Sequence, residues 1–424
     1  MDGKSRKRLV ALVARHPHGV RLAGGAMLII LAFSLFQALT YRDVVPSNDT
    51  YQYARQTLRI LGYSQPAADH DSVVMFCQDI AQSPKLERKL EAKTDLSGYS
   101  ACLYAYRDGM TPSSPRYIAI FTSRPGYPLA SALPVEVFGL RAGLWLTAMF
   151  FDLVGSLLVL ALLRAAKCAV LWSLAGQALF LVLPTGYWGS RMLTDSPSMA
   201  ATLAALLGAW WLTRGRIRSG SAVFCAAVVA GFLVRYSSQQ AITLALGVGA
   251  LILLGLVPAA RHRGTVVLAA LAAAASAASV LCSTLLGWPG FSESLQDTFT
   301  NHFEFPDVSH PLGELMNADG TVWGQFADSV LTLPLLVLPA ALIVITVLLW
   351  RRDPVYAVLV AVTASTGFAA VLAHPILSQA QRLIAPAWLI IALGLPVLLT
   401  ARAGVRAGAT ERAADRISLT TGGI

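Results

Sequence analysis

The sequence predicts an all-α protein that crosses a membrane about ten times. Three observations predict it. Of 424 residues, 55% are hydrophobic and only 13% charged, and the mean hydropathy is +0.60, too little polar surface to clothe a water-soluble fold. Apolar runs approaching the ~20 residues that span ~30 Å of hydrocarbon recur along most of the chain. These runs lack the alternation of a barrel strand, and in lipid only a helix or a closed barrel satisfies its own backbone.

In order, the expected spans are Leu22–Leu39, Ala142–Leu163, Ala169–Leu183, Pro197–Thr213, Ser221–Tyr236, Ala241–Val257, Thr265–Leu286, Val330–Trp350, Val355–Leu372 and Leu383–Leu399. The first could be mistaken for a cleaved signal peptide. It lacks a small-residue cleavage site, and an even span count needs it, so it reads as a retained anchor. The net charge of +10 does not point to nucleic acid, because Lys and Arg fall in short segments between spans: "GKSRKR", "LLRAAK", "TRGRIR", "ARHRG" and "WRRD". These lie on alternate sides of successive spans, which makes that side cytoplasmic and places both termini there. The organisation is then a basic N-terminus (1–21), a membrane domain (22–401) and a tail (402–424). Two long segments, 42–141 and 287–328, lie on the other side of the membrane.

The polar material concentrates in those two segments. In the first, "SPKLERKLEAK" offers Ser83 as a cap, Pro84 at the first helical position and Leu86/Leu90 on one face, a short solvated helix. Cys77 and Cys102 flank it. They read as a disulfide if the segment meets an oxidising compartment, and otherwise as two unrelated thiols. In the second segment, Phe291, Leu295, Phe299 and Phe303 have helical spacing and predict an amphipathic helix on the membrane surface. "ADHDS" at 68–72 and the set His302, Glu304, Asp307 and His310 contain ligand-type atoms, but a solvated loop is the plainer reading of both. No Walker loop, GxSxG elbow or paired CxxC occurs.

Asp49, Asp195, Arg235, His374 and Arg382 sit at span ends, and all five fall on the side opposite the basic segments. Charge beside hydrocarbon costs a few kcal/mol and marks functional cavities. Each residue also has a structural reading: Asp49 and Asp195 as helix caps, Arg235 and Arg382 snorkelling to head groups, and His374, before Pro375, as a turn residue. In "SNDTYQYARQTLRILGY", Tyr51, Ala54, Leu58 and Leu61 share one face, and Tyr51 and Tyr53 suit a lipid–water boundary. A helix lying flat there would hold Asp49 at the membrane surface.

These stretches, with "TSRPGYPLASAL", "RMLTDSPSMAATLAALLGAW", "GFLVRYS" and "SQAQRLIAPAWL", resemble the GT-C-type integral membrane glycosyltransferases. That superfamily includes protein mannosyltransferases, aminoarabinose transferases and actinobacterial cell-wall glycosyltransferases. The resemblance implies a polyprenyl-phosphate-linked sugar donor, a glycan, lipid or protein acceptor, and an active site facing the exoplasmic side of a bacterial plasma membrane. It implies Asp49 as general base and Asp195 as a second acidic residue shaping the site. Arg382, Arg235 and Arg55 become candidates for binding the donor phosphate, and Tyr53, Arg124 and His374 for contacting substrate. "TDS" lacks the adjacent acidic pair that would hold a metal, so no cofactor is firmly implied, although a divalent cation is compatible. A base and phosphate-binding cations suffice for direct, inverting transfer, because the donor already carries its leaving group. The rival readings are a transporter or flippase of lipid-linked saccharides, which would place charges near the midplane on interrupted helices within repeats, and a non-catalytic membrane subunit.

Overall fold

The computed structural model of the chain describes residues 17–41, 46–82, 98–110, 114–328 and 333–400. These are helical almost throughout, with no strand among them. In chain order the helices are α1 (Pro17–Thr40), α2 (Asn48–Ile60), α3 (Gln65–Gln82), α4 (Tyr99–Ala105), α5 (Pro115–Thr122) and α6 (Gly126–Phe138). Then follow α7 (Leu140–Ala165), α8 (Val170–Val182), α9 (Pro184–Gly189), α10 (Asp195–Thr213) and α11 (Ile217–Leu256). The last six are α12 (Arg263–Leu285), α13 (Phe291–Phe299), α14 (Pro311–Asp328), α15 (Leu333–Trp350), α16 (Pro354–Ala373) and α17 (Leu377–Leu383).

Six described helical segments are long and apolar enough to cross a membrane: Gly19–Thr40, Leu140–Ala165, Ile217–Leu256, Arg263–Leu285, Pro354–Ala373 and Leu377–Thr400. Val170–Val182 and Val337–Trp350 are shorter apolar helices. The chain is a polytopic, all-helical membrane protein.

Helix α10 is the hub, with nearly every residue from Ser196 to Thr213 buried by its neighbours. The first half of α11 runs antiparallel to it, backbone against backbone. A Cβ at Gly208 would come within 2.7 Å of the Phe224 nitrogen, so only glycine allows that approach. At Arg235 the helix breaks, with φ −163° and ψ 85°. Forty residues of straight helix would extend ~60 Å, yet the chain returns: His262 bonds the Thr213 carbonyl at 3.0 Å and Ser276 bonds Thr243 at 3.0 Å. The chain therefore doubles back at Arg235, which explains why two separate apolar runs were legible there.

The ends of α10 divide the molecule chemically. At the Thr213 end lie the contacts of the short basic segments, Arg214 with Asp353 and Arg352 with the Leu398 carbonyl among them. At the Asp195 end lie α2 to α6 and α13. The expected solvated helix at 83–93 lies outside the described residues, as do most of the N-terminal segment and the tail. Cys77 and Cys102 are bridged, with Cα atoms 5.6 Å apart, and pack with Tyr51, Val73 and Phe76.

Three expectations need correction. Tyr51 and Tyr53 do not meet lipid: both are buried inside the protein, because α3, α5 and α6 close over α2. The amphipathic stripe that suggested a flat surface helix serves a protein–protein contact instead. The Phe-rich helix of the second segment ends at Phe299, not Phe303, because Asn301, His302 and Phe303 all adopt left-handed backbone. The expected last span, Leu383–Leu399, begins earlier, at Leu377, and is irregular. Pro386 lacks the N–H that an α-helix needs, so the chain passes through a 3-10 turn (Ala385–Trp388) and a π turn (Ile390–Gly394).

Candidate active site

Arg382, in the last turn of α17 and only 9% exposed, links two distant carboxylates. Its Nη1 donates to Asp49 Oδ2 at 2.8 Å, while Nε and Nη2 both reach Asp195 Oδ2 at 2.9 Å. A planar guanidinium makes this possible, since its donors diverge in a fixed fork. Arg235 adds a fourth charge, its Nη1 3.8 Å from Asp195 Oδ1. The helix break at Arg235 is what presents it. Gly126 at the start of α6 lies so close to the backbone of Leu233 and Val234 that a Cβ would clash at 2.9 Å, fixing α6 against the reversal.

Two residues upstream of Gly126, Arg124 donates to the Tyr53 hydroxyl at 3.2 Å, and that hydroxyl lies 3.3 Å from Thr194 Oγ1. Tyr53 is held edge-on by Phe121 and Tyr127, at ring separations of 5.8 and 5.5 Å. Asp49, Asp195, Arg124, Arg235, Arg382 and Tyr53 therefore converge, three guanidiniums against two carboxylates. The Nε groups of Arg124 and Arg235 are buried without a hydrogen-bond acceptor among the described residues. Such donors in a cationic pocket suit an anion.

Burial pushes the Asp49 carboxyl up, but Arg382, Arg124 and Arg235 outweigh it and hold the group below its ordinary range. The capping explanation for Asp49 fails on geometry. Ser47 caps α2, its Oγ accepting from Thr50 N at 3.3 Å while Thr50 Oγ1 accepts from Ser47 N at 3.2 Å. Asp195 likewise sits one residue inside α10, turned to Arg382. Arg382 and Arg235 face carboxylates, not the lipid head groups that snorkelling would require.

Arg55 does not join the cluster. It lies on another face of α2 and pairs with Asp69 at 3.1 Å, so its assignment to donor phosphate is withdrawn. His374 closes α16 and accepts from or donates to Thr298 Oγ1 at 2.7 Å; burial pushes its imidazole down to about 4, which leaves it neutral at pH 7. Of the loop ligand set, His302 bonds Asp297 and Asp307 bonds Arg116. Among the described residues no group of three His, Cys, Asp or Glu is placed to hold a metal ion.

Sequence reasoning missed the wall built by α13. Arg116 straps it to α5, with Nε 2.8 Å from Glu293 Oε2 and Nη1 2.8 Å from Asp307 Oδ1. Its own polar spacing was a weak signal, since the partners are 177 and 191 residues apart. Comparisons of the chain with family models, with curated proteins and with solved structures return no match.

Proposed function

We propose that the protein is a membrane glycosyltransferase that moves a sugar from a polyprenyl-phosphate donor to an acceptor at the exoplasmic face of a bacterial plasma membrane, with Asp49 as base and inversion at the anomeric carbon. The observation that carries this reading is the Arg382 bridge between Asp49 and Asp195, ringed by Arg124 and Arg235. All five charges belong to one end of a helical membrane bundle.

The residues divide the work. An anionic phosphate attracted by the surplus guanidinium charge competes with the carboxylates for Arg382, because arginine binds phosphate bidentately. Once Arg382 turns towards phosphate, Asp49 loses its strongest counter-charge and becomes a better base. It takes the acceptor hydroxyl proton as the acceptor oxygen bonds to the anomeric carbon. The C–O bond to phosphate breaks, and the growing negative charge falls on Arg382, Arg235 and Arg124. Asp195 orients Arg382 and balances it between turnovers. A donor that must first displace an ion pair also keeps the base quiet when no donor is present.

One observation favours the flippase reading: the last span, which carries Arg382, is interrupted by 3-10 and π turns, as transporter helices often are. Against it, the five charges crowd one end. Purified protein incubated with decaprenyl-phosphate pentoses and hexoses and with methyl glycosides, followed by mass spectrometry, tests the proposal. Donor consumption with a sugar-extended product is expected. Donor that crosses vesicles unchanged, with no consumption, would replace the enzyme with the flippase.

A further inference from the structure

The segment that follows α13 is bent in a way that helix termination alone does not require. A helix end uses one left-handed residue, whereas Asn301, His302 and Phe303 take φ values of 50°, 61° and 65° in succession. None is glycine, and each such residue costs roughly 1–2 kcal/mol. Strain of this kind gathers at functional sites.

Its product is the placement of His302. The backbone N–H of His302 returns to the Asp297 carbonyl at 3.0 Å, and its ring Nδ1 meets Asp297 Oδ1 at 2.9 Å. The ring packs on Tyr117, centroids 4.7 Å apart, and the Tyr117 hydroxyl accepts from Asn48 Nδ2 at 3.2 Å. Asn48 precedes Asp49. The imidazole is therefore held over the wall beside the proposed base, with Nδ1 committed to Asp297, whose hydrogen bond strengthens the ring's hold on a proton, and Nε2 without a partner among the described residues. Three ties fix the segment: Arg116 to Glu293 and Asp307, Gln296 to both backbone groups of Val308, and Thr298 to His374.

We infer that the Asp297–His302 pair is the acceptor subsite: His302 Nε2 hydrogen-bonds a hydroxyl of a carbohydrate acceptor and sets its attacking oxygen against Asp49. This rests on the glycosyltransferase reading and assigns the acceptor's chemistry to α13 and the turn after it. Cations dominate the Arg382 side, where phosphate belongs. The His302 side offers a partly exposed imidazole nitrogen, which suits a polyol hydroxyl. Asp297 is a positioning residue that orients the imidazole.

Transfer to water separates the two claims, because hydrolysis of the donor needs Asp49 and the arginines but no carbohydrate. For His302→Ala and Asp297→Asn, transfer to a methyl glycoside is expected to fall roughly 10- to 100-fold in kcat/KM, with donor hydrolysis unchanged. Equal loss of both reactions, or loss of neither, overturns the subsite while leaving the enzyme standing. A wild-type protein that consumes no donor instead removes the enzyme reading. The subsite then still answers to binding: in nanodiscs, the ¹³C-labelled His302 imidazole signal, assigned by its absence in His302→Asn, is expected to shift with millimolar methyl glycosides. No shift with any glycoside overturns it.

Discussion

Arginines stand at both ends of the α10 axis and behave differently at each. At the Thr213 end most satisfy carbonyls, apart from Arg214, which pairs with Asp353. Arg261 donates to Leu254 O at 2.9 Å and to Gly255 O at 2.7 Å, Arg352 to Leu398 O at 2.8 Å, and Arg164 to Cys168 O. Apart from that of Cys168, which precedes α8, those oxygens end helices and lack intrahelical donors, so a cation there complements the helix dipole. At the Asp195 end Arg382 and Arg235 meet carboxylates instead. The same residue type thus serves mostly carbonyls at one end and a buried charge cluster at the other. What decides between them is how deeply the counter-charge lies: Arg214–Asp353 stays exposed, whereas the Arg382 cluster is largely buried.

Removing the central cation should have the largest effect. In Arg382→Ala, Asp49 loses its hydrogen-bonded cation and Asp195 keeps only the longer contact to Arg235, and losing one partner of a buried ion pair costs about 3–5 kcal/mol. Donor binding and transfer should disappear and thermal stability in detergent should fall. Arg382→Lys should restore little, since a single ammonium cannot reproduce the fork. A fully active lysine variant would make the cluster an ordinary surface pair, no different from the opposite end.

Asp49→Asn comes next. The amide keeps its shape and can still meet Arg382, so donor affinity should survive while the rate falls about 10²- to 10⁴-fold, the usual share of a positioned base. With α2 already capped by Ser47, near-normal transfer by this variant would demote Asp49 to a partner of Arg382.

Reduction should act on the Asp195 end alone. Opening Cys77–Cys102, separated by 25 residues, should destabilise the α3–α4 layer by about 3–4 kcal/mol on a loop-closure account. Protease cleavage in 98–110 under reductant reports it. Global unfolding at the same reductant concentration would show that the two ends are not independent.

The smallest effect belongs to Arg261→Ala. Losing two exposed carbonyl contacts should cost less than about 1 kcal/mol and leave transfer unchanged. A large loss of transfer would erase the contrast between the ends.

Much of this division was legible in the sequence, because hydropathy and charge are local properties. The apolar runs, the one-sided basic segments and the charges at span ends need no knowledge of packing. Asp49, Asp195, Arg235 and Arg382 were found that way, and Arg124 and Tyr53 through their motifs. Partnership was not legible. Arg55 looked equivalent to Arg235, yet Asp69, one turn into the neighbouring helix, captures it. Tyr51 and Tyr53 form a stripe that describes a lipid contact and a protein contact equally well, and only the cover of α3, α5 and α6 decides. Asp297 sat inside the expected amphipathic helix and His302 in a polar set of common composition, and three left-handed residues leave no sequence signature when none is glycine.

The Arg382 bridge also sets an order of assembly. Asp195 is made 187 residues, and Asp49 333 residues, before the arginine that neutralises both. A chain emerging from the ribosome therefore carries two unmatched carboxylates through the insertion of nearly every span. Arg235 is the first partner to arrive, and Asp195 is 3.8 Å from it in the finished fold. Only when the final hydrophobic segment enters does Arg382 close the cluster. A prematurely terminated chain therefore leaves Asp49 without Arg382 at the bundle end.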